Sequence, residues 1–170
     1  IVNDHQIIVR KSPAENLVTD FVSGYKKPIE VICEDWVPEI TIYFKPLGIN
    51  HFVQKPEKFF KTTIGLDLNP FNDWESVMKT LFAEKDRALQ CEQLEAYWLS
   101  KLESKDFSAM ENIISDIESD FRIEDIALKN NWSRQYLNRI FKKTVGKSPS
   151  EYRKIHRFRS AIMNQKDRKS

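Results

Sequence analysis

The chain has 170 residues, of which 41% are hydrophobic and 31% charged, and 27 lysines and arginines against 25 acids give a net charge of +2. This composition excludes disordered, collagen-like and low-complexity proteins. No apolar run reaches the roughly 18 residues that a membrane span needs, so we expect no membrane partner. Cys33 and Cys91 lack CxxC spacing, which excludes a zinc knuckle or a disulfide framework and favours a reducing cytoplasm.

Residues 1–71 carry the patterns of β-strands. Gln6–Arg10 and Ile29–Cys33 are rich in β-branched residues, and residues 39–44 alternate apolar with polar side chains at a period of two. Three or four short strands are too few to close a sandwich. We therefore interpret this segment as the end of a β-rich domain.

Residues 72–105 are predicted to form a two-helix connector. Apolar residues recur at helical spacing from Trp74 to Phe82, with Asn72 or Asp73 as the cap, and again through Cys91, Leu94, Trp98 and Leu102. These stripes either pack as core or form the interface of a homodimer through residues 73–104. Because the β segment is short, we expect part of the stripe to be exposed or paired with a second copy. The bulky side chains concerned are Trp74, Met78, Phe82, Trp98 and Leu102.

Charge is distributed unevenly along the chain. Residues 1–107 carry 13 bases against 17 acids, whereas residues 129–170 carry 13 bases against two acids. Aromatic residues at helical spacing interrupt this basic block, which favours a folded surface that meets phosphates over a solvated tail. A helix from about Ser108 precedes the block.

A helix-turn-helix is predicted after Asp120. The first helix buries Ile123, Ile126 and Ala127. The turn is formed by residues 130–132, where asparagine tolerates the left-handed conformation, and Ser133 is a favoured N-cap for the second helix. That helix is expected to bury Tyr136, Leu137, Ile140 and Phe141.

The remaining side chains of the second helix are of the types that commonly bind DNA. Arginine can bond guanine with two donors, asparagine or glutamine can match adenine, and lysine pairs with phosphate in any sequence. The second helix of such a motif enters the major groove. The predicted base-reading residues are Arg134, Gln135, Asn138 and Arg139, and the predicted phosphate contacts are Ser133, Lys142, Lys143, Lys147, Arg153 and Arg157.

A further helix follows the motif. Gly146 ends the second helix, and Ser148, Pro149 and Glu151 form a capping box that starts the next one. The new helix is expected to direct Tyr152, Ile155, Phe158 and Ile162 inward.

These residues resemble the first helix-turn-helix and linker helix of AraC/XylS-type bacterial transcription regulators. The resemblance covers residues 106–163 and, more weakly, Phe44-x-Pro46-x-Gly48-x-x-x-Phe52 followed by two helices. It implies double-stranded DNA as a partner, dimerisation beside a β-rich regulatory domain within residues 1–71, and an effector that the sequence does not identify. The motif residues are Ile126, Ala127, Ser133, Tyr136, Leu137, Phe141, Lys142, Gly146, Ser148, Pro149, Tyr152, Arg153, Arg157 and Ala161.

The chain departs from the family pattern in three ways. Asn131 stands where the family has glycine, Trp132 where it has a small aliphatic residue, and Arg122 where it has a serine or threonine cap. The family domain also has two helix-turn-helix units joined by a linker helix, whereas this sequence stops at Ser170, just past the linker helix. We therefore expect residues 106–170 to be a truncated DNA-binding domain in a fragment that starts at Ile1, with weak and salt-sensitive DNA binding.

The sequence favours an α+β fold, with a short N-terminal β segment followed by an all-helical region that contains the helix-turn-helix. Neither an enzyme nor a cofactor or metal site is expected, because the three histidines lack ligand or triad spacing and no glycine-rich phosphate loop is present. The predicted function is sequence-specific DNA binding by residues 133–143 in transcription regulation. The alternative is a small-molecule-binding or dimerisation module with a non-specific basic helical tail.

Overall fold

The computed structural model describes residues 6–10, 19, 21, 29–33, 38–60 and 69–167. The chain divides into two compact units, Ile1–Glu103 and Ser104–Ser170. The domain boundaries predicted at residues 71 and 105 stay predictions. None of the helices in the described ranges combines the length and apolar character needed to span a bilayer.

Two short strands pair in the first unit. Gln6–Arg10 (β1) and Ile29–Cys33 (β2) run parallel, and their register places Gln6 opposite Ile29. The third run predicted as a strand, residues 39–44, has no strand structure. Its apolar side chains contact helices instead: Ile40 packs against the core of this unit, and the Phe44 ring lies 5.3 Å from that of Trp98.

The predicted α+β fold class is wrong. The described residues form seven α-helices, and the β1–β2 ladder, with five residues in each strand, does not amount to a β segment that defines the fold. Alternation over six residues is a weak signal, because β-propensity depends on whether a neighbouring strand is there to pack against. The described part of the chain is organised by helices.

The helices of the first unit follow a 3₁₀ turn at Gly48–His51. They are α1 (Glu57–Phe60), α2 (Trp74–Ala83) and α3 (Arg87–Ser100). Asp86 caps α3, because its carboxylate accepts hydrogen bonds from two backbone N–H groups of the first turn.

Asp73 precedes α2 but makes no side-chain cap. Its carboxylate accepts hydrogen bonds from the Tyr97 hydroxyl at 3.0 Å and from the Lys101 ammonium at 2.8 Å. The bond from Lys101 is the main reason why the pKa of Asp73 lies below its usual value. This carboxylate therefore ties the start of α2 to the end of α3.

The connector helices form a core rather than an open apolar stripe. Among the side chains predicted to be exposed or paired, Trp74 and Met78 are buried and Phe82 and Trp98 are partly buried, whereas Leu102 is exposed. The buried positions of α3 are Gln90 and Tyr97, each one residue before the predicted Cys91 and Trp98, and Cys91 is exposed. The buried side chains of this core are Trp74, Met78, Leu81 and Tyr97.

The second unit contains α4 (Ser108–Glu118), α5 (Ile123–Lys129), α6 (Arg134–Val145) and α7 (Pro149–Asp167). Phe158 and Ile162, which were expected to face inward, are exposed. With 19 residues, α7 is longer than α4 and α6, the helices that it packs against, and both residues lie in its C-terminal half. The buried apolar side chains are Met110, Ile113, Ile114, Ile117, Ile123, Ile126, Ala127, Leu137 and Phe141.

Candidate DNA interface

A Schellman turn joins α5 to α6 and fixes the angle between them. Asn131 adopts a left-handed conformation with φ of 54°, as the sequence predicts. The N–H of Trp132 donates to the Ala127 carbonyl at 2.8 Å, and the N–H of Asn131 donates to the Leu128 carbonyl at 2.9 Å. Asn131 therefore takes the left-handed position of this turn, where glycine is the usual residue.

The two ends of α6 are also set by local sequence. Ser133 is the N-cap, and its hydroxyl oxygen accepts a hydrogen bond from the Tyr136 N–H at 3.1 Å. Gly146 ends the helix in a left-handed conformation with φ of 83°. By contrast, Arg122 at the start of α5 provides no side-chain cap, as expected from its replacement of a serine or threonine.

The predicted capping box starts α7. The Ser148 N–H donates to the Glu151 carboxylate at 2.9 Å, and the Glu151 N–H donates to the Ser148 hydroxyl at 3.2 Å. Two N–H groups at the helix start are thus satisfied reciprocally. Pro149 between them is fully buried, so this helix start is also fixed by packing.

One face of α6 is buried and the opposite face carries polar side chains. Leu137 and Phe141 have no exposed surface. Gln135, Asn138, Arg139 and Lys142 follow one another at i, i+3, i+4 and i+7, so they line one exposed stripe about 10 Å long. Among the described residues, the side-chain amides of Gln135 and Asn138 have no hydrogen-bond partner, and neither Lys142 nor Lys143 has an ion-pair partner.

Arg134, the remaining predicted base-reading residue, lies to the side of this stripe. Its guanidinium forms an ion pair with Glu124 of α5, with 3.0 Å between Nη1 and Oε1. The Arg134 side chain is 66% exposed and that of Glu124 44%, so solvent screens the pair and it adds little stability. It does direct Arg134 towards the first helix of the motif. Of the predicted phosphate contacts nearby, Ser133 is exposed and Lys147 is partly buried.

The two predicted phosphate contacts on α7 lie at the turn between α4 and α5. Arg153 donates to the Phe121 carbonyl, and its Nε lies 3.9 Å from Oδ1 of Asp120. Arg157 approaches the same oxygen through Nε at 3.0 Å and Nη2 at 2.9 Å. Asp120 itself is left-handed, with φ of 64°. The structure thus pairs both arginines with this turn, apart from the exposed stripe of α6.

A second contact between α4 and α7 lies beside this turn. The Tyr152 hydroxyl donates to Oε1 of Glu118 at 2.6 Å, and Nδ1 of His156 lies 3.4 Å from the same oxygen. Burial, followed by the Glu118 hydrogen bond, raises the pKa of Tyr152, so the phenol stays protonated and keeps donating. These contacts hold α7 against α4.

Tyr136 was predicted to be buried, and this expectation is wrong. The residue is 39% exposed, and its ring lies 5.0 Å from that of Trp132 in an edge-to-face arrangement. The guanidinium of Arg139 lies over the same ring, with Cζ 5.2 Å from the centroid. A helical projection indicates why: Tyr136 is offset by about 100° from Leu137, the centre of the buried face.

No group of three His, Cys, Asp or Glu side chains that could hold a metal ion occurs within the described ranges. A family model described as "Bacterial regulatory helix-turn-helix proteins, AraC family" matches residues 113–154. The match runs from the middle of α4 into α7 and includes the whole of α5 and α6. Comparison with curated proteins and comparison with solved structures each find no significant match. The family resemblance predicted from the sequence is thus confirmed for this segment: residues 113–154 match the helix-turn-helix of AraC-family bacterial regulatory proteins, which supports a DNA-binding transcription regulator of that family.

Proposed function

We propose that α6 enters the major groove of double-stranded DNA and recognises base sequence through Gln135, Asn138 and Arg139. The observation that carries this proposal is the exposed stripe opposite the buried Leu137 and Phe141. Amide and guanidinium groups at these positions match the donors and acceptors of adenine and guanine edges. Their lack of hydrogen-bond partners among the described residues leaves the two amides free to bond a base.

Phosphate contacts surround the stripe in this proposal. Lys142 and Lys143 stand at the C-terminal half of α6, Lys147 follows the helix, and the Ser133 hydroxyl lies at its start. Arg134 contributes from the side, through a guanidinium that an exposed ion pair with Glu124 keeps near the N-terminus. Such contacts fix the position of the protein on the duplex without selecting a sequence.

The arginines of α7 have a different part in the proposal. Arg157 is 61% exposed in its side chain and can still face a phosphate while it bonds Asp120. Arg153 is mostly buried and bonded to the Phe121 carbonyl, so a phosphate contact would require it to leave the turn between α4 and α5. Its contribution is therefore to hold the motif in shape.

The proposed function is transcription regulation by sequence-specific DNA binding in the bacterial cytoplasm. A homodimer through residues 73–104 receives no support from the packing of α2 and α3, because most of the side chains predicted to pair are at least partly buried. An effector for the first unit stays a prediction. The alternative, a binding or dimerisation module with a non-specific basic tail, differs in that it predicts no base selection by α6.

Selection of duplex sites from a random library tests the proposal. Arg139→Ala and Asn138→Ala should each lower affinity for the selected site by about 1–3 kcal/mol and relax the choice at one base position. Lys142→Ala is the matched control on the same helix: it should weaken binding to all sequences alike and reduce the salt slope by about one. An unchanged base profile in Arg139→Ala and Asn138→Ala would contradict major-groove recognition by α6.

A further inference from the structure

Three side chains, Trp132, Tyr136 and the stripe residue Arg139, form a continuous stack. The ring of Trp132, in the turn, meets the ring of Tyr136 edge to face, with 5.0 Å between centroids and an angle of 74° between planes. The Tyr136 ring in turn lies under the guanidinium of Arg139 at 5.2 Å. The stack therefore connects the turn of the motif to one of the proposed base-reading residues.

The stack leaves the hydrogen-bonding groups of Arg139 available. A guanidinium attracted to the face of an aromatic ring makes this contact without donating an N–H hydrogen bond to an acceptor. Within the described residues, Arg139 has no ion pair or hydrogen bond that would compete for those donors. A guanine edge with its two acceptors, O6 and N7, is the partner that such a planar fork matches.

Restricting the conformation of the Arg139 side chain before DNA binds favours binding. A long exposed side chain loses rotamer freedom when it contacts a base, and it loses less when an existing contact already restricts it. Tyr136 is itself restricted, because it belongs to α6 and its ring is flanked by Trp132. The turn therefore supports the ring, and the ring supports the arginine.

We propose that Tyr136, supported by Trp132, is a positioning residue that holds Arg139 ready to read guanine and so sets base preference at one position of the DNA site. The proposal rests on the proposed function of α6. It assigns a role to a partly exposed aromatic pair, and it explains why the accessible ring of Tyr136 lies on α6.

The test compares Tyr136→Leu with Tyr136→Phe in the full chain. The phenylalanine variant keeps the ring and is the matched control, whereas the leucine variant removes the contact with the guanidinium. Base preference is measured by binding to duplexes that differ only at the position where Arg139→Ala relaxes selection. We expect Tyr136→Leu to lower this preference about two- to fivefold, the range for an exposed cation–π contact, and Tyr136→Phe to keep it.

A double-mutant cycle separates positioning from a general effect on structure. In the Arg139→Ala background, Tyr136→Leu should cause no further change in preference at that position. If Tyr136→Leu unfolds α6, Trp132→Leu replaces it and should produce a smaller loss at the same base. Full preference in these leucine variants, in a chain where Arg139→Ala does relax selection, would overturn the positioning role alone. No effect of Arg139→Ala on base preference would overturn this inference, and an unchanged base profile in Asn138→Ala as well would overturn the proposed function.

Discussion

Replacing Asn131 should show how much the helix-turn-helix depends on its left-handed turn. With φ of 54°, Asn131 has a conformation that costs ordinary L-residues about 1–2 kcal/mol, of which asparagine avoids a part. Asn131→Ala should therefore lower the free energy of opening of α5 and α6 by about 1 kcal/mol. In Asn131→Gly, the relief of backbone strain and the greater entropy of the unfolded chain oppose each other, so we expect a change within about 0.5 kcal/mol.

Amide hydrogen exchange in the full chain measures this opening directly. The amides of Asn131 and Trp132, which bond to the Leu128 and Ala127 carbonyls, report on the turn itself. Leu128→Ala is a suitable control, because this side chain is 72% exposed and its backbone is helical. If Asn131→Ala exchanges as slowly as the unmodified chain, the turn does not depend on the left-handed residue.

Three further predictions follow from contacts elsewhere. Phe141→Ala should lower the free energy of unfolding of the second unit by about 3–5 kcal/mol in urea denaturation, because the ring is fully buried; a loss below 1 kcal/mol would contradict its place in the core. Ser148→Ala should cost about 1 kcal/mol by removing its part of the capping box with Glu151, and an unchanged urea midpoint would argue against the box. Lys101→Met should raise the pKa of the Asp73 carboxyl in an NMR titration, because the hydrogen bond from Lys101 is the main cause of its lowered value. The stability that this pair provides is present at neutral pH and is lost as the pH falls through the folded-state pKa of Asp73. An unchanged Asp73 titration in Lys101→Met would exclude the pair.

Sequence reasoning succeeded where a feature depends on residues close together in the chain. The left-handed Asn131, the Ser133 cap, the end of α6 at Gly146 and the box between Ser148 and Glu151 all follow from side-chain chemistry within a few positions. The exposed polar stripe of α6 belongs to the same class, because helical spacing alone places its members on one face.

The features that the sequence did not reveal depend on distant partners. Residues 39–44 alternate like a strand, yet Ile40 and Phe44 pack against helices because no strand in the described residues lies beside them. Arg153 and Arg157 were visible as charge, but their partners at the turn between α4 and α5 lie more than 30 positions earlier. The exposure of Tyr136 is likewise set by which side of α6 meets α5 and α7.

The most direct measurement is an NMR titration of the isotope-labelled chain with duplex DNA. The side-chain amides of Gln135 and Asn138 lie on the stripe of α6, whereas that of Asn112 lies on α4 and serves as an internal reference. We expect the Gln135 and Asn138 signals to shift with added duplex and to return as salt is raised, while Asn112 stays unchanged. Shifts confined to α4 or to the first unit, with Gln135 and Asn138 unaffected, would contradict DNA recognition by α6.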